Sequence, residues 1–221
     1  MSQQIEDLQE KIQDVKDEVA KKVVGQEEVL ERLLVTMVCD GNALLESNPG
    51  LAKTMMVRSV ADVTDMSFSR IQNTPDLMPS DVTGTEVIRE SAEGDKQFVF
   101  EKGPIFGNFI LADEINRAPP KVQSAMLEAM QEHKVSIGDE TFHLPEPFFT
   151  MATQNPVEQG GTYPLPEAQI DRFLFKIYLP YPKKKNEQKI IDMNANIMDD
   201  EDFNVNEVVT AQDVRDLQEF A

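Results

Sequence analysis

The 221-residue chain has no tryptophan and one cysteine, Cys39. A single cysteine cannot close an internal disulfide, so a cross-linked extracellular scaffold is excluded and a reducing cytoplasm is the expected location. Cys39 itself is expected as a buried helix residue. No run of eighteen apolar residues occurs, which excludes a membrane-spanning helix. The opening stretch MSQQIEDLQE is polar and acidic, unlike a secretory signal. Positive charge is scarce as well: 21 Lys and Arg against 40 Asp and Glu leave a formal net charge of −19. Such a chain repels phosphate backbones. Its one short basic run, Pro182 to Lys185, reads as a solvated face, so no nucleic-acid partner is expected and a helicase or clamp-loader role is disfavoured. The acidity is equally compatible with a salty cytoplasm. Only two histidines, His133 and His143, are present, too few to build a zinc site.

What is present suits a globular domain with one sizeable core and a small appendage. Residues 4–22 show a helical period in Ile5, Leu8, Ile12, Val15 and Val19. After a break at Gly25, a second helix carries Val29, Leu30, Leu33, Leu34, Met37 and Val38. The apolar run 42–46 reads as a strand, and residues 53–63 as the helix that follows it. Strands are expected at 67–72, 108–114, within FFTMATQNP and within RFLFKIYL, with a helix at 120–133. Apolar strands alternating with helices indicate a parallel α/β sheet. A Pro- and Gly-rich stretch after residue 73 reads as an inserted hairpin with strands TEVI and QFVF. KVSIGDETFHL reads as a second hairpin turning near Gly138 and Asp139. The methionines lie scattered on apolar faces and read as core filling. From about Pro182 the chain is polar, acidic and helical in period.

Four features carry chemistry. The stretch ESNPGLAKTMMV ends in Lys53-Thr54 like a phosphate-binding loop, but the pattern G-x-x-x-x-G-K-[ST] fails at both glycines, with Ser47 and Ala52 in their places. A strand before the loop and a helix after it are the context such a loop needs. Backbone N–H groups at a helix N-terminus hold phosphate oxygens, the lysine neutralises them, and the threonine hydroxyl holds Mg²⁺. A serine at residue 47 costs strain only if the turn there requires a positive φ. Second, NFILADE places Asp113 and Glu114 at the end of an apolar strand, where paired acids are costly unless they serve something. In a P-loop enzyme the first orients Mg²⁺ and the second polarises the attacking water. Third, Asn155 follows another apolar strand, in reach of a γ-phosphate or its water. Fourth, Arg172 precedes the last strand, too far from its own loop but placed to serve a neighbouring subunit as an arginine finger.

Loop, acid pair, Asn and Arg in this order resemble an AAA+ ATPase. The stretches VVGQEEVLERLL, NPGLAKT, FSRIQNTPDLMPSDVTGTEV, KGPIFGNFILADEINRAPPKVQSAMLEAMQEHKVSIGD and FFTMATQNPVEQGGTYPLPEAQIDRFLFKI resemble the MoxR family over about residues 23–180. The family has Ala at the position of Ala52 but Gly at that of Ser47. The resemblance implies a P-loop AAA+ core, with a five-stranded parallel sheet flanked by helices and β-hairpin insertions. Val24 and Gly25 would lie beside the adenine of ATP. Asn48, Pro49, Gly50, Leu51 and Ala52 would form the loop, and Lys53 and Thr54 would bind phosphate and Mg²⁺. Asp113 would complete the metal site, Glu114 and Asn155 would act on the attacking water, and Arg172 would act in trans. Arg117 is a second candidate intersubunit arginine. The insert at about 75–106 and the hairpin at 134–145 resemble the helix-2 and pre-sensor-1 insertions of this clade.

The family also implies a ring, a hexamer, with chaperone-like remodelling of protein complexes and often a partner bearing a von Willebrand A domain; the client is not named by the sequence. The expected organisation is an N-terminal helix at 1–22, the nucleotide-binding core at 23–182, and at 183–221 the start of a helical lid that is mostly absent. No sensor-two arginine is present, since Arg215 lies too early for that role. Three functions therefore stand. One is an ATP-hydrolysing remodeller. One is a nucleotide-binding regulatory subunit that hydrolyses little because its lid is incomplete. The last is an interaction protein without nucleotide, which the intact Lys53, Thr54, Asp113, Glu114, Asn155 and Arg172 oppose.

Overall fold

In a β-strand successive side chains point to opposite faces, and that alternation divides the core in two. Strand β1 (Ala43–Ser47) sends Ala43 and Leu45 into one apolar cluster and Leu44 into the other. Strand β5 (Phe109–Asp113) does the same with Phe109 and Leu111 against Ile110 and Ala112, and β8 (Phe149–Gln154) with Phe149 and Met151 against Ala152. These three are the inner strands of a five-stranded sheet, ordered β2-β5-β8-β1-β9, with edges β2 (Phe68–Gln72) and β9 (Phe175–Leu179). Every pairing in it is parallel. The computed structural model describes residues 2–48, 50–90, 96–138, 140–156, 161–195 and 205–221.

Helices cover both faces. On the first lie α1 (Ser2–Val19), α2 (Glu27–Val38) and α3 (Lys53–Val63). Val15 and Val19 of α1 are buried, as are Val29, Leu30, Leu33, Leu34 and Met37 of α2, the stripe expected from their spacing. The side chains of Ile5 and Leu8 lie outside the described residues. On the second face α5 (Pro120–Glu132) buries Val122, Met126, Leu127 and Met130. A short helix α4 (Pro79–Thr83) packs beside it. Cys39 corrects an expectation: it is exposed, not buried. Helix α2 ends at Val38, and Cys39 stands about 200° round from Met37, off the buried stripe.

Two hairpins leave the sheet. Strands β3 (Gly84–Glu90) and β4 (Lys96–Lys102) pair antiparallel, as do β6 (Lys134–Ile137) and β7 (Glu140–His143). Phe100 of the first stacks on Phe142 of the second at 4.4 Å, and Phe106 meets Phe100 edge-on at 5.7 Å, so the hairpins share an aromatic base. Asp139, expected in the second turn, lies outside the described residues.

Beyond β9 come α7 (Lys184–Ala195) and α8 (Ala211–Phe220), a short helix α6 (Glu167–Ile170) having preceded the strand. Helix α8 packs against α2, burying Val214 and Leu217. Asp213 of α8 pairs with Lys11 of α1, and Gln218 donates to the Met37 carbonyl at 2.9 Å.

Candidate functional site

Parallel strands bring all their carboxyl ends to one edge, and there the sequence-predicted residues gather. The register pairs Leu45 with Thr153 and Glu46 with Gln154, while Ala112 pairs with Ala152. The ends of β1, β8 and β5 therefore lie side by side in that order. Their face toward α3 carries Ser47, Thr153, Asn155 and Asp113, all buried.

The phosphate-loop candidate starts one residue later than the sequence suggested. Ser47 is the last residue of β1, fully buried, and its hydroxyl donates to the Asn48 carbonyl at 3.2 Å. It is not among the residues with positive φ. The left-handed positions are Gly50, with φ 81°, and Ala52, with φ 55°. Glycine adopts that conformation freely, whereas alanine pays roughly 1 kcal/mol. Ala52 is the N-cap of α3 and provides no side-chain cap. The first turn of α3 thus presents backbone N–H groups with no capping side chain, and Lys53 and Thr54, both half-buried, open it. Asn48 and Leu51 are half-buried on the same loop, and Pro49 lies outside the described residues.

Asp113 is 7% exposed. Its Oδ1 accepts a hydrogen bond from the Thr153 hydroxyl at 2.6 Å, and its Oδ2 one from the Arg70 guanidinium at 2.6 Å. Burial pushes this carboxyl up, but the two hydrogen bonds and the charges of Lys53 and Arg70 outweigh burial and hold it below the usual carboxylate range. The Lys53 charge therefore acts on Asp113 across the width of β8. Glu114 follows in the left-handed region, with φ 55° and ψ 51°. Its N–H donates to the Thr153 hydroxyl at 2.9 Å, and its carboxylate accepts from Arg117 at 3.0 Å and Gln72 at 3.4 Å. Arg117 thus engages its own subunit's Glu114. Both the N–H and the side-chain amide of buried Asn73 donate to the Asp113 carbonyl, at 3.0 and 2.8 Å.

Val24 and Gly25 lie near the same edge. The next residue, Gln26, donates to the Pro180 carbonyl at 3.3 Å, just past the carboxyl end of β9. Gly25 has φ +79°, and a Cβ there would fall 2.2 Å from Asn186 of α7. Arg172 is not with the others. It precedes β9, whose Phe175 pairs with Ala43, so it stands at the amino-terminal edge of the sheet. A five-residue strand, about 16 Å of chain, separates that edge from the loop. Arg172 is half-buried and donates to the Leu127 carbonyl at 3.1 Å.

Sequence reasoning missed Arg70, Gln72, Asn73 and Thr153. Strand parity held the signal. With Phe68 inward, Arg70 and Gln72 must share its face, and with Met151 inward, so must Thr153.

Comparison with known proteins agrees with this geometry. The model of the ATPase family associated with various cellular activities (AAA) matches residues 42–175. The chain is 56% identical over 174 residues to the chaperone MoxR1 of Mycobacterium tuberculosis, covering 79% of this chain and 45% of that protein. It is 47% identical over 188 residues to the uncharacterized protein YeaC of Bacillus subtilis, covering 85% of this chain and 58% of that protein. A crystal structure of a candidate ATPase from Cytophaga hutchinsonii superposes with a TM-score of 0.87 at 47% identity, covering 99% of this chain and 64% of that one. The chain spans about half the length of the curated relatives it matches. A phosphate-loop candidate and an acid pair on strand ends with one strand between them, the AAA match across both, and these identities give one conclusion: the chain belongs to the MoxR family of AAA+ ATPases.

Proposed function

We propose that the chain binds Mg²⁺–ATP at the carboxyl ends of β1, β8 and β5 and hydrolyses it to remodel or mature protein complexes. One observation carries the reading: the uncapped N-terminus of α3, bearing Lys53 and Thr54, faces the anionic Asp113 across β8. Lysine in the first turn opposes the helix dipole, and left-handed Ala52 adds strain. Both costs are understandable if an anion sits there. The donor set also fits ATP, with uncapped N–H groups and one ammonium for phosphates, and a hydroxyl with a buried carboxylate for a hard cation.

In this reading Asn48, Pro49, Gly50, Leu51 and Ala52 form the loop, Lys53 and the backbone N–H groups from Gly50 to Thr54 hold the phosphates, and Val24 and Gly25 lie beside adenine. Thr54 and Asp113 would hold Mg²⁺, which when bound neutralises charge on the phosphate oxygens. Glu114 takes the proton from the water whose oxygen attacks the γ-phosphorus, as the bond to the leaving ADP oxygen breaks. Asn155 orients that water. Arg172, a strand length from its own loop, acts on the nucleotide of the next subunit in a ring, which we take to be a hexamer. Residues 23–182 form the proposed nucleotide-binding core. A partner with a von Willebrand A domain and a cytoplasmic location follow from the MoxR relationship as parts of the same proposal.

The test is phosphate release per subunit against protein concentration. Turnover should rise with concentration and fall when Arg172→Ala subunits are mixed in. Concentration-independent turnover by a sedimenting monomer overturns the trans role, and absence of Mg²⁺-dependent ATP binding overturns the whole reading.

A further inference from the structure

Asp113 lies on β5, and the two strands flanking β5 are β2 and β8. Each contributes one donor to its carboxylate: Arg70 from β2 at Oδ2 and Thr153 from β8 at Oδ1, both at 2.6 Å. A carboxylate held at opposite oxygens by groups on opposite sides keeps its plane fixed, and each oxygen retains an acceptor site. The Thr153 hydroxyl has one proton, and it points to Asp113. Its oxygen is then free to accept, and it accepts the Glu114 N–H at 2.9 Å. Thr153 is fully buried, so no water competes for either bond. Gln72 ties the other side, accepting from Arg70 at 2.6 Å and donating to Glu114 at 3.4 Å. Glu114 meanwhile sits in the left-handed region, a conformation that needs outside support.

We infer that Thr153 and Arg70 form a clamp that positions the acid pair, Thr153 fixing the Asp113 carboxylate and the Glu114 backbone together, and Arg70 closing the clamp from the sheet edge. Both are positioning residues, acting through Asp113 and Glu114. Thr153 also places Asn155, two residues on and on the same strand face, in register with the acids. The inference rests on the reading of Asp113 as the metal-holding carboxylate.

The experiment reads binding, not turnover. A fluorescent ATP analogue is titrated at rising Mg²⁺, and the Mg²⁺ concentration for half-maximal binding is compared among variants. Thr153→Val keeps the shape and loses the hydroxyl, and it should raise that concentration about tenfold, the scale of a hydrogen bond to a charged group. Thr153→Ser should restore it to within about twofold of the parent. Arg70→Met, on a side chain 45% exposed and so safe for folding, should raise it about three- to tenfold, and Arg70→Lys should recover part of the loss. Analogue binding without Mg²⁺ should be unchanged in all four. Asp113→Asn is the control: if it shifts the Mg²⁺ requirement and neither Thr153→Val nor Arg70→Met does, the clamp is wrong. If Asp113→Asn shifts nothing, the metal-site reading fails and the clamp falls with it. If Thr153→Val does not fold, Arg70→Met decides alone.

Discussion

Two helices of this protein begin in opposite ways. Helix α8 opens with a capping box: the Thr210 side chain accepts from the Asp213 N–H, and the Asp213 carboxylate accepts from the Thr210 N–H at 2.8 Å. Helix α3 opens with Ala52 in a left-handed conformation, no side-chain cap and no acid in its first turn, and its first residue is Lys53. By local rules α8 is well started and α3 is badly started. Yet α3 is the more deeply buried, with Met56, Val57, Val60, Ala61 and Val63 in the core. Tertiary packing holds it in place whatever its first turn does. A missing side-chain cap is shared by α2, α5 and α6, so what sets the α3 start apart is left-handed Ala52 followed by Lys53, and the proposed function gives that combination a reason. At α8 the N–H groups are satisfied internally and the end is structural. At α3 Ala52 gives no side-chain cap, and in the proposed reading the N–H groups of that turn serve the phosphates.

The strongest way to break this comparison is to remove the charge from the α3 start. Lys53→Ala should cost roughly 3 kcal/mol or more of Mg²⁺–ATP affinity, over about a hundredfold, because in the proposed function the lysine faces phosphates in a partly desolvated place. Equilibrium binding of a fluorescent analogue checks it, and an unchanged affinity makes the Lys-Thr pair incidental. Next in size is Glu114→Gln. It should preserve binding and lower turnover about 10²-fold, the contribution of a lost catalytic base. Phosphate release at the parent rate would remove Glu114 from the chemistry.

Much of this was legible beforehand. The helix at residues 53–63 follows from apolar periodicity, and the strand ends carrying Asp113 and Asn155 follow from continuous apolar runs, the mark of burial on both sheet faces. The family resemblance was legible for a different reason, since long motifs survive where single positions vary. Three things were not. Ser47 reads as a loop residue in the sequence because a five-residue strand offers no mark for its last residue. Cys39 reads as a buried helix residue because a helix end cannot be located to one residue from periodicity. Strand parity gives the face of Arg70 and Thr153, but that both flank β5 depends on the strand order. Order is a property of the assembled sheet, and no local pattern encodes it.

At the α8 start the expected effects are smaller. Thr210→Ala removes an N-cap and should lower global stability by about 1 kcal/mol, read as a lower urea midpoint with an unchanged slope. Nucleotide affinity should not move; if it does, α8 is coupled to the site and the division between structural and functional helix starts fails. The Asp213 carboxyl is lowered to about 2, first by its hydrogen bond with Lys11 and then by those with Thr210. A depressed carboxyl stabilises the fold above its unfolded value near 3.8, and that contribution is lost as pH falls through about 2. The Lys11 side chain is 37% exposed, so solvent screening limits the pair to about 1 kcal/mol or less. Lys11→Met should therefore lower the urea midpoint slightly at pH 5, and the gap should close near pH 2.

The finest test separates the two departures from the phosphate-loop pattern. Read as a pattern, Ser47 and Ala52 are equal defects, and glycine should improve both. Read as a structure, they differ in sign. Ala52 has φ 55°, so Ala52→Gly relieves roughly 1 kcal/mol of strain and loses about as much to the freer unfolded chain. Its net effect on stability should be near zero or slightly positive. Ser47 lies in an extended strand, fully buried, with its hydroxyl bonded to the Asn48 carbonyl. Ser47→Gly relieves nothing, adds backbone freedom to the unfolded state, and loses that bond. It should destabilise by about 0.5–1 kcal/mol. Urea midpoints of the two single variants against the parent decide the matter. If Ser47→Gly stabilises and Ala52→Gly destabilises, the strain lies at the end of β1 after all, and the uncapped start of α3 loses its claim to be the strained element of the loop.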